Sequence, residues 1–176
     1  MIQVKTLIPD PLPAEVVELI DRRKRLGLDN FDEVWEGVYH VAPMARFGHA
    51  RLDQQLAVLL EPVARRAGLQ VSGAFNLGDP DNFRVPDRGI HRGDPDPGTV
   101  YLPSAAVVIE IVSPGDETYE KVPFYAAHQV EELWIVDPAE RTVQLRALMG
   151  DGYELTERSG LLELTSGQIR AGLGWF

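Results

Sequence analysis

Cysteine is absent from this 176-residue chain, which excludes a disulfide framework and any thiolate metal site and fits a reducing cytoplasm. Histidine is scarce: His40, His49, His91 and His128 are the four, and no two stand at the HxxxH spacing that a helical zinc-hydrolase site requires. No apolar run reaches the roughly 18 residues needed to cross a bilayer. The first residues, MIQVKTLIPDPLPAEVVELI, lack the basic start and long apolar core of a signal peptide. A soluble, cytoplasmic protein with no membrane partner is expected. Basic residues are the minority charge, 17 Lys and Arg against 27 Asp and Glu, for a net charge of -10. Proteins that hold duplexes tightly do so by neutralising phosphates with Lys and Arg, so the overall balance counts against nucleic acid. A bound divalent cation reverses that sign locally.

What is present suits one domain with a full core, at 44% hydrophobic residues over this length. Residues 1 to 13 read as a proline-rich extended arm, followed by a helix from Ala14 to Leu26 whose Asp21 to Arg25 run reads as a solvated charged face, with a phosphate contact as the alternative. Phe31 to Ala42 reads as two short strands joined at Glu36-Gly37 and closed by Pro43. The longest helical pattern, Phe47 to Ala67, places Leu52, Leu56, Leu59, Leu60 and Val63 on one stripe. A strand over Leu69 to Leu77, a turn at LGDPDN and a further strand through DNFRVPDRGIHR follow, with Pro86 keeping the latter at an edge or a bulge. Gly93 to Gly98 is a polar loop.

Ala105 to Val112 is apolar on both faces, as a central strand covered on both sides should be. Pro114-Gly115 ends it, and a helix then begins with Thr118 as its N-cap and Lys121 in its first turn. Leu133 to Val136 is another buried strand, and Thr142 to Leu148 pairs with Tyr153 to Leu155 around Gly150-Asp151-Gly152. The expected fold is α/β: a central mixed β-sheet flanked by helices, with an arm and helix over 1–30 preceding a globular unit over 31–176.

Glu110 breaks the apolar run of the central strand, and an ionised carboxylate among Val and Ile needs a compensating cation. Asp87 lies on a strand that adjacency would set beside it. Lys121 follows on the next helix, where its charge opposes the helix dipole and so calls for a partner. Two hard oxygen ligands leave positions of an octahedral Mg²⁺ open, with Mn²⁺ as a substitute. Spacing alone equally allows Asp87 in a turn and a buried Glu110–Lys121 ion pair without metal.

The segments VWEGVYHVAP, the VPD around Asp87, VVIEIVSPGDETYEKVPFYAAHQVEELWIVDP and TVQLRAL resemble the Uma-two family of restriction-endonuclease-like proteins, within the PD-(D/E)XK nuclease superfamily. The resemblance covers roughly Phe31 to Leu148. It implies a restriction-endonuclease-like fold and metal-binding roles for Asp87 and Glu110. It further implies a catalytic role for Lys121, which replaces the lysine that would otherwise stand at Val112. DNA is the implied partner and metal-dependent phosphodiester hydrolysis the implied reaction. A homodimer would set two sites against two strands. Glu36 and His49 resemble positions near the site, and Tyr125 shares the helical face of Lys121. Arg84, Arg88 and Arg92, read as one face of the strand through Asp87, are candidates for phosphate contact. A catalytically silent, partner-binding module of the same fold and a metal-free two-carboxylate sugar hydrolase are the competing classes.

Overall fold

The computed structural model describes residues 13–42, 44–115 and 117–175. Residues 1 to 12 of the expected arm, the closing role of Pro43, and Asp116 lie outside them. The chain runs α1 (Ala14–Arg25), β1 (Glu33–Trp35), β2 (Val38–His40), α2 (Phe47–Arg66), β3 (Leu69–Ser72), β4 (Asn76–Asp79), β5 (Asn82–Arg84) and β6 (Arg88–Arg92). It continues through β7 (Tyr101–Leu102), β8 (Val107–Ile111), a 3₁₀ turn (Tyr119–Lys121), α3 (Val122–Ala127), β9 (Glu132–Asp137), β10 (Thr142–Met149), β11 (Gly152–Thr156) and α4 (Ser166–Gly172).

A six-stranded mixed sheet, ordered β11-β10-β9-β8-β6-β3, forms the centre. β8 lies between β6, antiparallel with Arg88 opposite Ile109, and β9, parallel with Glu110 opposite Ile135. The parallel pair needs a crossover, and α3 supplies it. Because strand side chains alternate between faces, Val107, Ile109 and Ile111 point to one face and Val108 and Glu110 to the other. The first face packs on Leu52, Leu56 and Leu60 of α2 and Ile169 of α4 in the larger core. Val108 joins Leu133, Ile135, Phe124, Tyr125 and Leu77 in a second core on the α3 side.

The i, i+4 spacing of Leu52, Leu56, Leu60 and Ala64 accounts for the buried stripe of α2. Pro62 lies inside this helix without ending it; the carbonyl it leaves without its usual donor belongs to Val58, on the solvent side. Leu56 is fully buried, so Leu56→Ala should cost about 2–5 kcal/mol through lost transfer energy and a residual cavity, read as a lower urea midpoint at unchanged slope.

A second, five-stranded sheet, ordered β2-β1-β5-β4-β7, was not legible as separate. Two stretches read as single strands are each divided between the sheets. Leu69 to Leu77 is β3 of the central sheet and β4 of the second, with a bend between them. DNFRVPDRGIHR is β5 of the second sheet and β6 of the central one. Pro86 at the changeover has no N–H for a ladder, and the Val85 N–H is donated to Glu33 Oε1 at 2.7 Å. The chain therefore leaves one sheet and enters the other across Val85-Pro86-Asp87.

The β1–β2 hairpin turns as expected at Glu36 and Gly37, both with positive φ, 45° and 83°, as the favoured two-residue hairpin turn requires. Thr118 takes the N-cap position of the 3₁₀ turn without a side-chain capping hydrogen bond, and α3 itself starts only at Val122 with Lys121 in the N-cap position. Pro123, in the first turn of α3, explains the delayed start, because proline fits a helix only where its missing N–H has no intrahelical partner. The tail forms α4, closed at its start by a capping box between Thr165 and Gln168. Among the described residues, no helix is long and apolar enough to cross a membrane.

Candidate active site

Glu110 leaves β8 on the α3 side, so its carboxylate faces the helix that carries Tyr125 and begins at Lys121. It is only 3% exposed. Its Oε1 accepts a hydrogen bond from the Tyr125 hydroxyl and lies 3.2 Å from Lys121 Nζ. Burial pushes the Glu110 carboxyl up, to about 8; the Lys121 charge opposes this, while Asp87 and Glu33 add to it. Burial alone would lower the Lys121 ammonium, but the charges of Glu110 and Glu33 outweigh it and hold Lys121 above its ordinary value. Burial and the same two carboxylates raise Tyr125 well above the usual phenol range. Its hydroxyl is thereby kept as a donor.

Asp87, in the changeover between sheets, reaches the end of β8: its Oδ2 accepts the Ile111 N–H at 2.7 Å. Its Oδ1 is 2.8 Å from His49 Nε2, and His49 Nδ1 is 3.2 Å from Ser113 Oγ. His49 stands in the first turn of α2, so the helix delivers it to the site and not to solvent. Burial lowers its imidazole, but the hydrogen bond and charge of Asp87, with Asp53 and Glu110, outweigh that and raise it overall.

Glu33 belongs to the first strand of the β1–β2 hairpin. It is buried, and its Oε1 lies 2.8 Å from Lys121 Nζ, closer than Glu110 does. Its Oε2 accepts the Trp35 indole N–H at 2.6 Å. The missed signal is slight: in Glu-Val-Trp the carboxylate alternates with Val34, the pattern of a solvent-facing position, and its partners Lys121 and Val85 come from other parts of the chain.

The three arginines form no common face. Arg84 is 2% exposed, and its guanidinium lies between the Trp35 ring, 4.3 Å from the centroid, and the Phe124 ring, 4.0 Å away. Its Nη1 donates to the Val34 carbonyl and its Nη2 to Glu36 Oε1. Arg88 is buried in the other sheet, with Asp53 Oδ1 at 2.7 Å. Arg92 is exposed and holds Glu131 through two hydrogen bonds of 2.7 and 2.8 Å. The expectation of one face failed because it assumed one strand. Glu36 sits at the exposed hairpin turn, where Arg84 is its partner.

Arg84 does fix the site's walls. Two histidines adjoin these rings: His40 is stacked on Trp35 at 4.3 Å, and His128 meets Phe124 at 4.1 Å with the rings tilted by 37°. Arg84 fastens the β1–β2 hairpin to α3, the two elements that carry Glu33 and Lys121.

A third buried glutamate shows what an ordinary structural role looks like. Glu132 Oε1 accepts the Gly160 and Leu161 N–H groups, at 2.7 and 3.1 Å, and its Oε2 accepts the Trp134 indole N–H at 2.9 Å. Neutral donors satisfy it where it stands. Around Lys121, by contrast, Glu110, Glu33 and Asp87 place three carboxylates near one ammonium. Among the described residues, no group of three or more His, Cys, Asp or Glu side chains is arranged to hold a metal. Two carboxylates are what a Mg²⁺ site commonly takes from protein, since the ion keeps several waters. The bonds described leave one lone pair on each Asp87 oxygen and, with Tyr125 and Lys121 both on Oε1, the acceptor sites of Glu110 Oε2, so the donor set of Asp87 and Glu110 fits such an ion.

Residues 29–174 match the family model described as "Uma2: Putative restriction endonuclease". Among solved structures, the chain is similar to one from Anabaena variabilis ATCC 29413 titled "a putative nuclease belonging to DUF820". The two are 17% identical with a TM-score of 0.64, and the match covers 80% of this chain and 90% of that one. At that identity the likeness shows the fold. No curated protein matches. The family match spans both sheets and the cluster around Glu110, and the chain belongs to the Uma2 family.

Proposed function

We propose that this protein is a divalent-metal-dependent endonuclease that hydrolyses DNA phosphodiester bonds at the site formed by Asp87, Glu110 and Lys121. The observation that carries this reading is the excess of carboxylates: Glu110, Glu33 and Asp87 near one lysine, with Glu110 desolvated and, among the described residues, without the neutral N–H donors that satisfy Glu132. The family's description and the nuclease title of the similar structure support the same reaction class.

Asp87 and Glu110 would hold Mg²⁺, with Mn²⁺ as a substitute. When bound, the ion supplies Lewis acidity at the phosphoryl group and acidifies water at neutral pH. Lys121 presents a fixed positive charge where the phosphorane becomes more negative, or orients the attacking water. His49 holds one Asp87 oxygen and the Ile111 N–H holds the other, so the carboxylate is preset before substrate arrives. The Tyr125 hydroxyl fixes Glu110 in the same way. The cation also answers the overall charge of -10, because it makes the site locally attractive to a polyanion.

The test is cleavage of plasmid DNA by purified protein. Nicking or linearisation is expected with Mg²⁺ or Mn²⁺, with loss on adding EDTA and recovery on restoring the ion. Cleavage that survives the chelator would transfer the site to metal-free hydrolysis, and absence of cleavage with either ion at any salt concentration would leave a binding module of the same fold.

A further inference from the structure

In a strand, residues i and i+2 share a face, so a lysine at position 112 would be set beside Glu110 by the sheet itself. Val112 stands there, and the lysine comes from another element. Lys121 sits where the 3₁₀ turn joins α3, and no strand pleat fixes its direction. A four-carbon side chain with several rotatable bonds needs an anchor to present its ammonium reproducibly.

We propose that Glu33, delivered by β1 of the second sheet, is the positioning residue that aims the Lys121 ammonium at Glu110, replacing the strand geometry that a lysine at 112 would have had. The inference rests on the reading of Lys121 as part of the site. Glu33 Oε1 is the nearer of the two carboxylate oxygens to Nζ, 2.8 Å against 3.2 Å for Glu110. Glu33 is itself immobilised: the Val85 N–H donates to Oε1 at 2.7 Å and the Trp35 indole to Oε2 at 2.6 Å. Trp35 in turn is stacked between His40 and Arg84. Through Val85, the same carboxylate braces the segment that carries Asp87. An ion taken up by Glu110 would draw that carboxylate's charge toward itself, and Glu33 would then remain the lysine's partner.

Lysine occurs at only three positions, 5, 24 and 121, which permits a direct readout without metal, DNA or turnover. Competitive acetylation followed by peptide mass spectrometry gives the reactivity of Lys121 relative to Lys24. Losing a charge-assisted hydrogen bond is expected to raise that ratio about tenfold in Glu33→Gln, with Glu33→Asp between the two. An unchanged ratio in Glu33→Gln overturns the proposal. Should circular dichroism show that variant unfolded, Glu33→Asp decides: at least a twofold rise is required, and none sinks the idea.

Mn²⁺ calorimetry separates positioning from ligation, because a positioning residue leaves the metal affinity within about threefold while a removed ligand lowers it tenfold or more. The latter outcome would make Glu33 a ligand and overturn the assignment. If the parent protein cuts no DNA, the labelling result still stands and the nuclease reading alone fails. If the parent cuts and labelling is unmoved, Glu33 alone fails.

Discussion

Glu110→Gln should lose DNA cleavage by about a thousandfold while folding at least as stably as the parent, because it removes a ligand charge that the fold tolerates at a cost. The isosteric amide keeps the volume beside Tyr125 and avoids a cavity. The stability half follows from the sign of the Glu110 shift. Its carboxyl is raised by burial to about 8 in the folded state, so between its ordinary range and that value the native state binds more protons than the unfolded chain. Stability conferred by the group therefore falls as pH rises across that window. In EDTA, the stability advantage of Glu110→Gln over the parent should be smallest near pH 4.5, grow toward pH 8 and then level off, as measured by urea unfolding at several pH values. An amide variant that is destabilised at every pH would mean that Glu110 serves the fold, as Glu132 does.

Lys121→Met should have the opposite stability signature. It keeps most of the aliphatic stem but leaves Glu33 and Glu110 buried without the ammonium they share. Breaking a buried pair by removing one partner costs about 3–5 kcal/mol, against roughly 5–15 kcal/mol for a whole domain. Cleavage should fall by about a hundredfold to a thousandfold with the loss of a preorganised positive charge. Mn²⁺ affinity should hold or rise, since the cation that competes for Glu110 is gone. Single-turnover cleavage and calorimetry on the same preparation check both. Reduced affinity in Lys121→Met, or undiminished cleavage, would deny Lys121 its role as a charge acting beside the ion.

The central residues were legible because each violates a local rule. Glu110 is a carboxylate in an apolar strand, and Lys121 is a cation at a helix start. Asp87 follows a proline where a strand should not continue. The apolar stripe of α2 and the Glu36-Gly37 turn were equally plain, because each depends on neighbours within a few residues. What failed depended on the partition into two sheets. Alternation over residues 82 to 92 assumed that one pleat governs Arg84, Asp87 and Arg88, but the chain changes sheets at Pro86, and the two guanidiniums are buried apart. Glu33 escaped notice for the same reason. Its partners include Lys121 and the Val85 N–H, contacts between elements that periodicity in β1 cannot reveal. His49 could be read either as a surface residue or as part of the site, and only the arrival of Asp87 beside α2 settles its position.

The claim beneath all of this is that Asp87 and Glu110 together receive one divalent cation. Crystals soaked in Mn²⁺ and measured for anomalous scattering test it most directly. A single strong peak within coordination distance of both carboxylates, lost in Glu110→Gln, is the expected result. No peak at those two side chains, or manganese bound only elsewhere on the acidic surface, would contradict it.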